Sequence, residues 1–219
     1  MSSEEIQGWR RGAEQGDAAA QFSYGLCLAA GNGAMQSWTA AARLWRQAAE
    51  QGYAPALLCY GMLCMEGGGV PQDLIEAVRN LRIAADHGEG NAFSWLGYLC
   101  ECGKGGMKRD LAEAARLYSE AVERGNYTAL AQVAVFFEKG RGIAQSDEAA
   151  AEFYAKASEL GGAGEALFNM ALIHLAAISE RNAPEAFTIQ LAVRDLALAA
   201  RLGHAGAIAK LASISSRRE

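Results

Sequence analysis

The chain has 219 residues, 51% of them hydrophobic, and a formal net charge of -5. This is enough apolar material for one or two ordinary domains, and the mild acidity argues against a nucleic-acid partner, which calls for a clustered basic surface. No apolar run approaches the ~18 residues of a membrane span, and Met1-Ser2-Ser3-Glu4-Glu5 lacks the basic-then-apolar order of a secretory signal, so we expect a cytoplasmic protein without membrane insertion.

Three prolines and 25 glycines form an unusual pair. Few prolines suit long helices, whereas so many glycines, if scattered, would break them. The glycines must therefore stand at helix ends. Residues 2–15 read as one helix, with Trp9 as its large apolar residue, closed by Ala13-Glu14-Gln15-Gly16. This N-terminal half-repeat, 1–16, is followed by repeats over 17–52, 53–88, 89–125, 126–161 and 162–203 and by a capping helix within 204–219, helical over 205–214. The repeats close on Ala48-Ala49-Glu50-Gln51-Gly52, Ala84-Ala85-Asp86-His87-Gly88, Ala121-Val122-Glu123-Arg124-Gly125, Ala157-Ser158-Glu159-Leu160-Gly161 and Ala199-Ala200-Arg201-Leu202-Gly203. Glycines 16, 52, 88, 125 and 161 are separated by 36, 36, 37 and 36 residues, and only the step to Gly203, at 42, is longer.

Each repeat holds two helices. Helix A starts near Ala20, Ala56, Ala92, Ala129 or Ala166 and, in the first four repeats, ends at a pair Gly31/Gly33, Gly67/Gly69, Gly103/Gly105 or Gly140/Gly142. Within it, Gly25, Gly61, Gly97, Ala134 and Ala171 recur as a small residue. Helix B starts after Ser37, Asp73, Asp110 or Ser146, whose side-chain oxygens can accept from the unpaired N–H groups of a first turn. Glu76 and Glu113 follow their caps by three, the capping-box spacing. A cap, about 13 residues and a C′ glycine describe one complete helix. Trp45, Leu81, Tyr118, Tyr154 and Leu196 recur on helix B one turn before its small pair, so the small residues should allow close helix approach and the large residue should fill the groove between pairs. Repeat five departs from the pattern: Ala177 replaces the first turn glycine, an insertion over 178–187 contains Pro184, and its helix B begins near Asn182 or near Thr188. Helix pairs stacked at a fixed period with atypical end units make a single all-α solenoid domain over 1–219.

The order Ala, Leu-Gly, glycine-rich turn, Ala and Ala-Ala-x-x-Gly resembles the Sel-one-like repeat, a relative of the tetratricopeptide repeat with a longer interhelical turn. Ala92-Phe93-Ser94-Trp95-Leu96-Gly97, Gly103-Lys104-Gly105, Ala114 and Ala121-Val122-Glu123-Arg124-Gly125 carry it well, and it covers nearly the whole chain. The resemblance implies a right-handed superhelix of antiparallel helix pairs whose concave wall, lined by A helices, binds a protein or peptide; many relatives are bacterial adaptors or regulators. It also implies which positions face that wall: Phe22, Leu26 and Ala29; Leu58, Met62 and Met65; Ser94, Tyr98 and Glu101; Ala131, Val135 and Glu138; Phe168, Leu172 and Leu175. The set is apolar with few charges, suited to an apolar or amphipathic peptide.

No catalytic, metal or cofactor motif stands out. The Gly-x-Gly pairs lie between helices, whereas phosphate loops need a strand before and a helix after. The five cysteines all fall in A helices without metal-ligand spacing. Some secreted relatives join A to B helices by disulfides, but here no B helix carries a cysteine, so packed, reduced thiols in a reducing compartment are expected. His174 occupies a position often filled by Tyr in the family, and His87 and His204 lie at repeat junctions. The reading is a protein-binding adaptor without catalysis or cofactor. The alternatives are a weak hydrolase of cell-wall-type substrates, resting on kinship alone, and a secreted bacterial effector on the same scaffold.

Overall fold

The structure is a computed structural model; it describes residues 2–160, 164, 167, 168, 171 and 185–215. Among the described residues there are eleven α-helices and no strand. Seven belong to a first compact unit, Met1–Arg124: α1 (Ser3–Glu14), α2 (Ala18–Ala30), α3 (Trp38–Glu50), α4 (Ala54–Glu66), α5 (Leu74–Asp86), α6 (Gly90–Cys102) and α7 (Leu111–Glu123). A second unit, Gly125–Glu219, contains a 3₁₀ turn (Tyr127–Ala129), α8 (Leu130–Lys139), α9 (Asp147–Glu159), α10 (Glu185–Arg201) and α11 (Ala205–Ser215).

The helix ends are local chemistry. Ser37 accepts from the Ala40 N–H at 3.2 Å, and Ser146 from that of Ala149 at 3.1 Å. Asp73 accepts from Ile75 and Glu76, and Asp110 from Ala112 and Glu113. Each bond satisfies a first-turn N–H that has no partner inside the helix. The B helices α3, α5, α7 and α9 are each 13 residues long. Gly52, which follows the last helical turn of α3, has φ +80°, a left-handed conformation that costs a residue with a Cβ.

Three expectations about the ends need correction. Glu76 and Glu113 do not close capping boxes. Their carboxylates turn along the helix instead, Glu76 to Arg79 and Asn80, Glu113 to Arg116, where an arginine three residues on competes with the cap N–H as a donor. The reciprocal box is made at α1, by Ser2 and Glu5. The A helices begin two residues before the marker alanines, at Ala18, Ala54 and Gly90, and repeat four opens with the 3₁₀ turn. The markers Ala20, Ala56, Ala92 and Ala129 are interior packing residues, at most 9% exposed. In repeat five, α10 starts at Glu185, between the two alternatives; the Ala177 turn and most of the insertion lie outside the described residues.

In the first unit each helix packs on the next, from α1 on α2 through α6 on α7. The large residue of B, expected in the groove between pairs, is instead received inside its own pair by the small residue of A. A Cβ on Gly25 would overlap the indole of Trp45, and one on Gly61 or Gly97 would come within 3.1 Å of Leu81 or Tyr118. Trp45 also donates its indole N–H to the Phe22 carbonyl at 3.1 Å, so the ring is oriented as well as enclosed. Ala41, Ala48, Ala77, Ala84, Ala114 and Ala121 are all fully buried, as small residues at a close helix approach must be.

Between pairs, the second turn glycine makes the contact. A Cβ on Gly69 would meet the Trp38 carbonyl carbon at 2.5 Å, and one on Gly105 would meet the Leu74 carbonyl oxygen at 2.6 Å. Gly33 lies against Ile6 in the same way. The Gly-x-Gly turns therefore stack one pair on the B helix before it, which explains their recurrence without any phosphate chemistry. The second unit has its own core: Ala131, Val135, Leu167, Ala171, Leu196 and Ala199 are buried, with Tyr154 and Phe168 packed against them.

Candidate interaction surface

The A helices place a repeating trio of side chains, and the structure divides the predicted positions into three groups. The first is buried. Leu58 and Met65 are only 9% exposed, and Ala29, Ala131 and Val135 are buried with them. All were expected on an open wall. The close pairing of A and B helices that the glycines permit draws these positions into the helix interface.

The second group is spoken for by neighbouring side chains. Phe22 packs at 5.5 Å from the Tyr53 ring, and Phe168 stacks at 4.4 Å on His204. Tyr53 and His204 each directly follow the C′ glycine of the preceding helix, so an aromatic three residues before the small A-helix position contacts the entry to the next helix. Glu101 accepts from the Tyr118 hydroxyl at 3.1 Å, and Glu138 from the Tyr154 hydroxyl at 2.9 Å. In the second unit Arg201 donates to both Glu138 and Tyr154, and Lys139 donates to Glu138 at 3.0 Å. The Arg201 hydrogen bond above all, with the Lys139 and Tyr154 bonds opposing burial, holds the Glu138 carboxyl down at about 2. Burial, and then the bond to Glu138, pushes the Tyr154 hydroxyl up to about 12. The Glu–Tyr pair recurs in two units at separations of 17 and 16 residues; Arg201 has no such counterpart, because the corresponding B-helix positions are the acids Glu50, Asp86, Glu123 and Glu159.

The third group remains at the surface. Leu26 is 44% exposed, and Met62, Ser94 and Tyr98 are half-buried. Leu26, Met62 and Tyr98 hold one register position, directly after the small residue, on α2, α4 and α6. Tyr98 meets Trp95 edge to face at 6.2 Å, which adds an aromatic surface that the wall positions did not include. Leu172 and Leu175 lie outside the described residues.

None of the five cysteines is in a disulfide; Cys27, Cys64 and Cys100 are buried, and Cys59 and Cys102 are half-buried. Cys64 and Cys100, in one register of adjacent repeats, are each 2% exposed. Burial, and after it the charge of Glu89, pushes the Cys59 thiol up to about 11. His87 lies exposed at the end of α5. His204 accepts the Ala207 N–H at the start of α11, and His174 lies outside the described residues. Among the described residues no helix is long and apolar enough to cross a membrane.

Sel1 repeats match residues 18–53, 54–89, 94–126 and 128–162, more than half of the chain. The chain belongs to the Sel1 repeat family. Such repeats are in general protein-interaction scaffolds. No curated protein matches the chain. Among solved structures it is similar to a Sel1 repeat protein from Oxalobacter formigenes, with 28% identity and a TM-score of 0.71 over 87% of this chain and 76% of that one. It is also similar to c5321, a protective antigen of uropathogenic Escherichia coli strains displaying an SLR fold, with 24% identity and a TM-score of 0.66; 94% of this chain aligns with 50% of that one. A sel1 repeat protein from Klebsiella pneumoniae shares 18% identity and a TM-score of 0.62 over 96% of this chain and 99% of that one. These last two likenesses bear on the fold alone, which all three share with the helix pairs described above.

Proposed function

We propose that this Sel1 repeat protein is a scaffold or adaptor that holds a protein or peptide partner on the A-helix face of its first unit, the face expected to be concave. The observation that carries this reading is the row Leu26, Met62 and Tyr98. Apart from Ser94, the other predicted wall positions on the same helices are taken up by packing or hydrogen bonds, yet one apolar residue per repeat stays at the surface in a single register. Apolar side chains lined up across successive helices offer a partner a continuous strip to bury, at roughly 25 cal/mol for each Å² removed from water. The aromatic pair Trp95 and Tyr98 supplies the kind of anchor that dominates interface energies.

The test is affinity capture with the full chain and two variants, Met62→Lys and Tyr98→Lys. Both positions are half-buried on the wall, so each substitution puts a charge into the strip. Loss of the captured partner with an unchanged circular dichroism spectrum supports the reading. Undiminished capture by both folded variants rules out this wall as the binding face.

A further inference from the structure

The second turn glycine follows a different residue in each of the first four repeats: Asn32 before Gly33, Gly68 before Gly69, Lys104 before Gly105 and Arg141 before Gly142. The first of these is a reactive pair. The side-chain amide of an asparagine can be attacked by the backbone nitrogen of the next residue, and attack is easiest when that residue is glycine, which has no Cβ to obstruct ring closure. Of the six asparagines in the chain, Asn32 alone precedes a glycine.

The structure leaves both reacting groups available. Asn32 and Gly33 are exposed in the turn between α2 and α3. The Asn32 N–H donates to the Cys27 carbonyl at 3.0 Å, but among the described residues no hydrogen bond engages the Asn32 side-chain amide or the Gly33 N–H. The two residues line an open hollow with Ser3, Ile6 and Gln7 of α1, so water reaches them. The other described asparagines differ. Asn80 and Asn126 are buried with their side chains hydrogen-bonded. Asn91 is exposed, but it stands in the first turn of α6 and precedes Ala92.

We infer that Asn32 is a site of spontaneous deamidation, and that the change loosens α1. The Gly33 nitrogen bonds to Asn32 Cγ and gives up its proton. The Cγ–Nδ2 bond breaks, and Nδ2 leaves as ammonia with that proton. Water then opens the resulting five-membered imide at either carbonyl, which gives aspartate or isoaspartate without oxidation or reduction. Both products put a carboxylate where a neutral amide stood, against the first two turns of α1. Those turns carry Glu4 and Glu5 and no cation before Arg10. Isoaspartate also routes the main chain through its side chain, which adds a methylene to the backbone directly before Gly33. A Cβ on Gly33 would already overlap the Ile6 side chain, and a contact this close does not absorb an extra methylene without displacement.

The experiment ages the full chain in warm buffer at pH 8 and follows it by peptide mass mapping that separates aspartate from isoaspartate. The Asn32 peptide converts to both products about tenfold or more faster than the Asn91 peptide, because the attacking nitrogen belongs to a residue without a Cβ. The amides of α1, read by hydrogen exchange, open about threefold or more faster in the converted chain than in the fresh one. Asn32→Gln, which keeps the amide at an exposed position but forms the imide far more slowly, is aged in parallel and retains the exchange of the fresh chain. Conversion at Asn32 no faster than at Asn91 overturns the inference. So does unchanged exchange in α1 after Asn32 has converted, or an equal rise in aged Asn32→Gln.

Discussion

Gly25 and Trp45 share one space: the indole of Trp45 occupies the volume where any side chain on Gly25 would begin, and its N–H is spent on the Phe22 carbonyl at 3.1 Å. The first repeat closes on this contact. Gly25→Ala gains about 1 kcal/mol of helix propensity but overpacks a filled site, at about 1–3 kcal/mol, and displaces a hydrogen bond that contributes about 1 kcal/mol. We expect a net loss of stability in urea unfolding. Gly8 gives the opposite case, because a Cβ there would meet no atom within 4 Å. Gly8→Ala should stabilise by up to about 1 kcal/mol. If the two substitutions shift the midpoint in the same direction, the packing account of the small A-helix residue is wrong.

The caps give a second prediction. Asp73 accepts two first-turn N–H groups of α5, while Glu76 spends its carboxylate on Arg79 and Asn80. Asp73→Ala should cost about 1 kcal/mol. Glu76→Gln keeps the hydrogen bond to Asn80 within reach and loses only a largely exposed ion pair, so it should cost less than about 0.5 kcal/mol. Chemical denaturation of both variants checks the ranking; a larger cost for Glu76→Gln than for Asp73→Ala would contradict it.

The helix positions were legible in the sequence to within about two residues, because the signals that set them are local: a hydroxyl or carboxylate before a first turn, a glycine after a last one, and a period of 36. The Sel1 family and the helix pairing followed from the same signals. The state of individual wall residues was not legible. Leu58 and Met62 are alike in chemistry and lie four apart on α4, yet one is 9% exposed and the other is half-buried. That difference depends on how closely α4 approaches its neighbours, which no local pattern records. Arg201 escaped for a related reason. Its partner Glu138 is 63 residues away, and the arginine stands where the other repeats carry an acid.

The Glu138 cluster predicts a pH dependence. Its carboxyl is held at about 2 in the folded chain against an ordinary value of 4.5, first by Arg201. A carboxyl lowered on folding stabilises the fold above its unfolded value, and that contribution is lost as the pH falls through the folded one. Glu138→Gln should therefore be less stable than the natural sequence at pH 7, and the difference should shrink between about pH 4.5 and pH 2. Arg201→Gln should reproduce much of the neutral-pH deficit. Thermal melts across this range test it; a difference that does not change with pH would show that the cluster contributes nothing through ionisation.

The thiols offer a further check of the burial pattern. Cys27, Cys64 and Cys100 are buried, and burial raises the thiols of Cys27, Cys59, Cys64 and Cys100 above their ordinary range. A thiol reagent at pH 8 should modify Cys27, Cys64 and Cys100 slowly in the native chain and all five cysteines rapidly in denaturant, since the thiolate is the reactive form. Rapid native labelling of Cys64 or Cys100, resolved by peptide mass, would mean that the A helices are not packed as described.

The central claim is that a partner sits on the A-helix face of the first unit and not on the B-helix face. The most direct measurement places a photo-crosslinking amino acid at Met62 on α4 or at Arg82 on α5, the first half-buried on the wall and the second exposed on a B helix. We expect a specific crosslinked adduct from position 62 and none from position 82. An adduct from position 82 alone would contradict it.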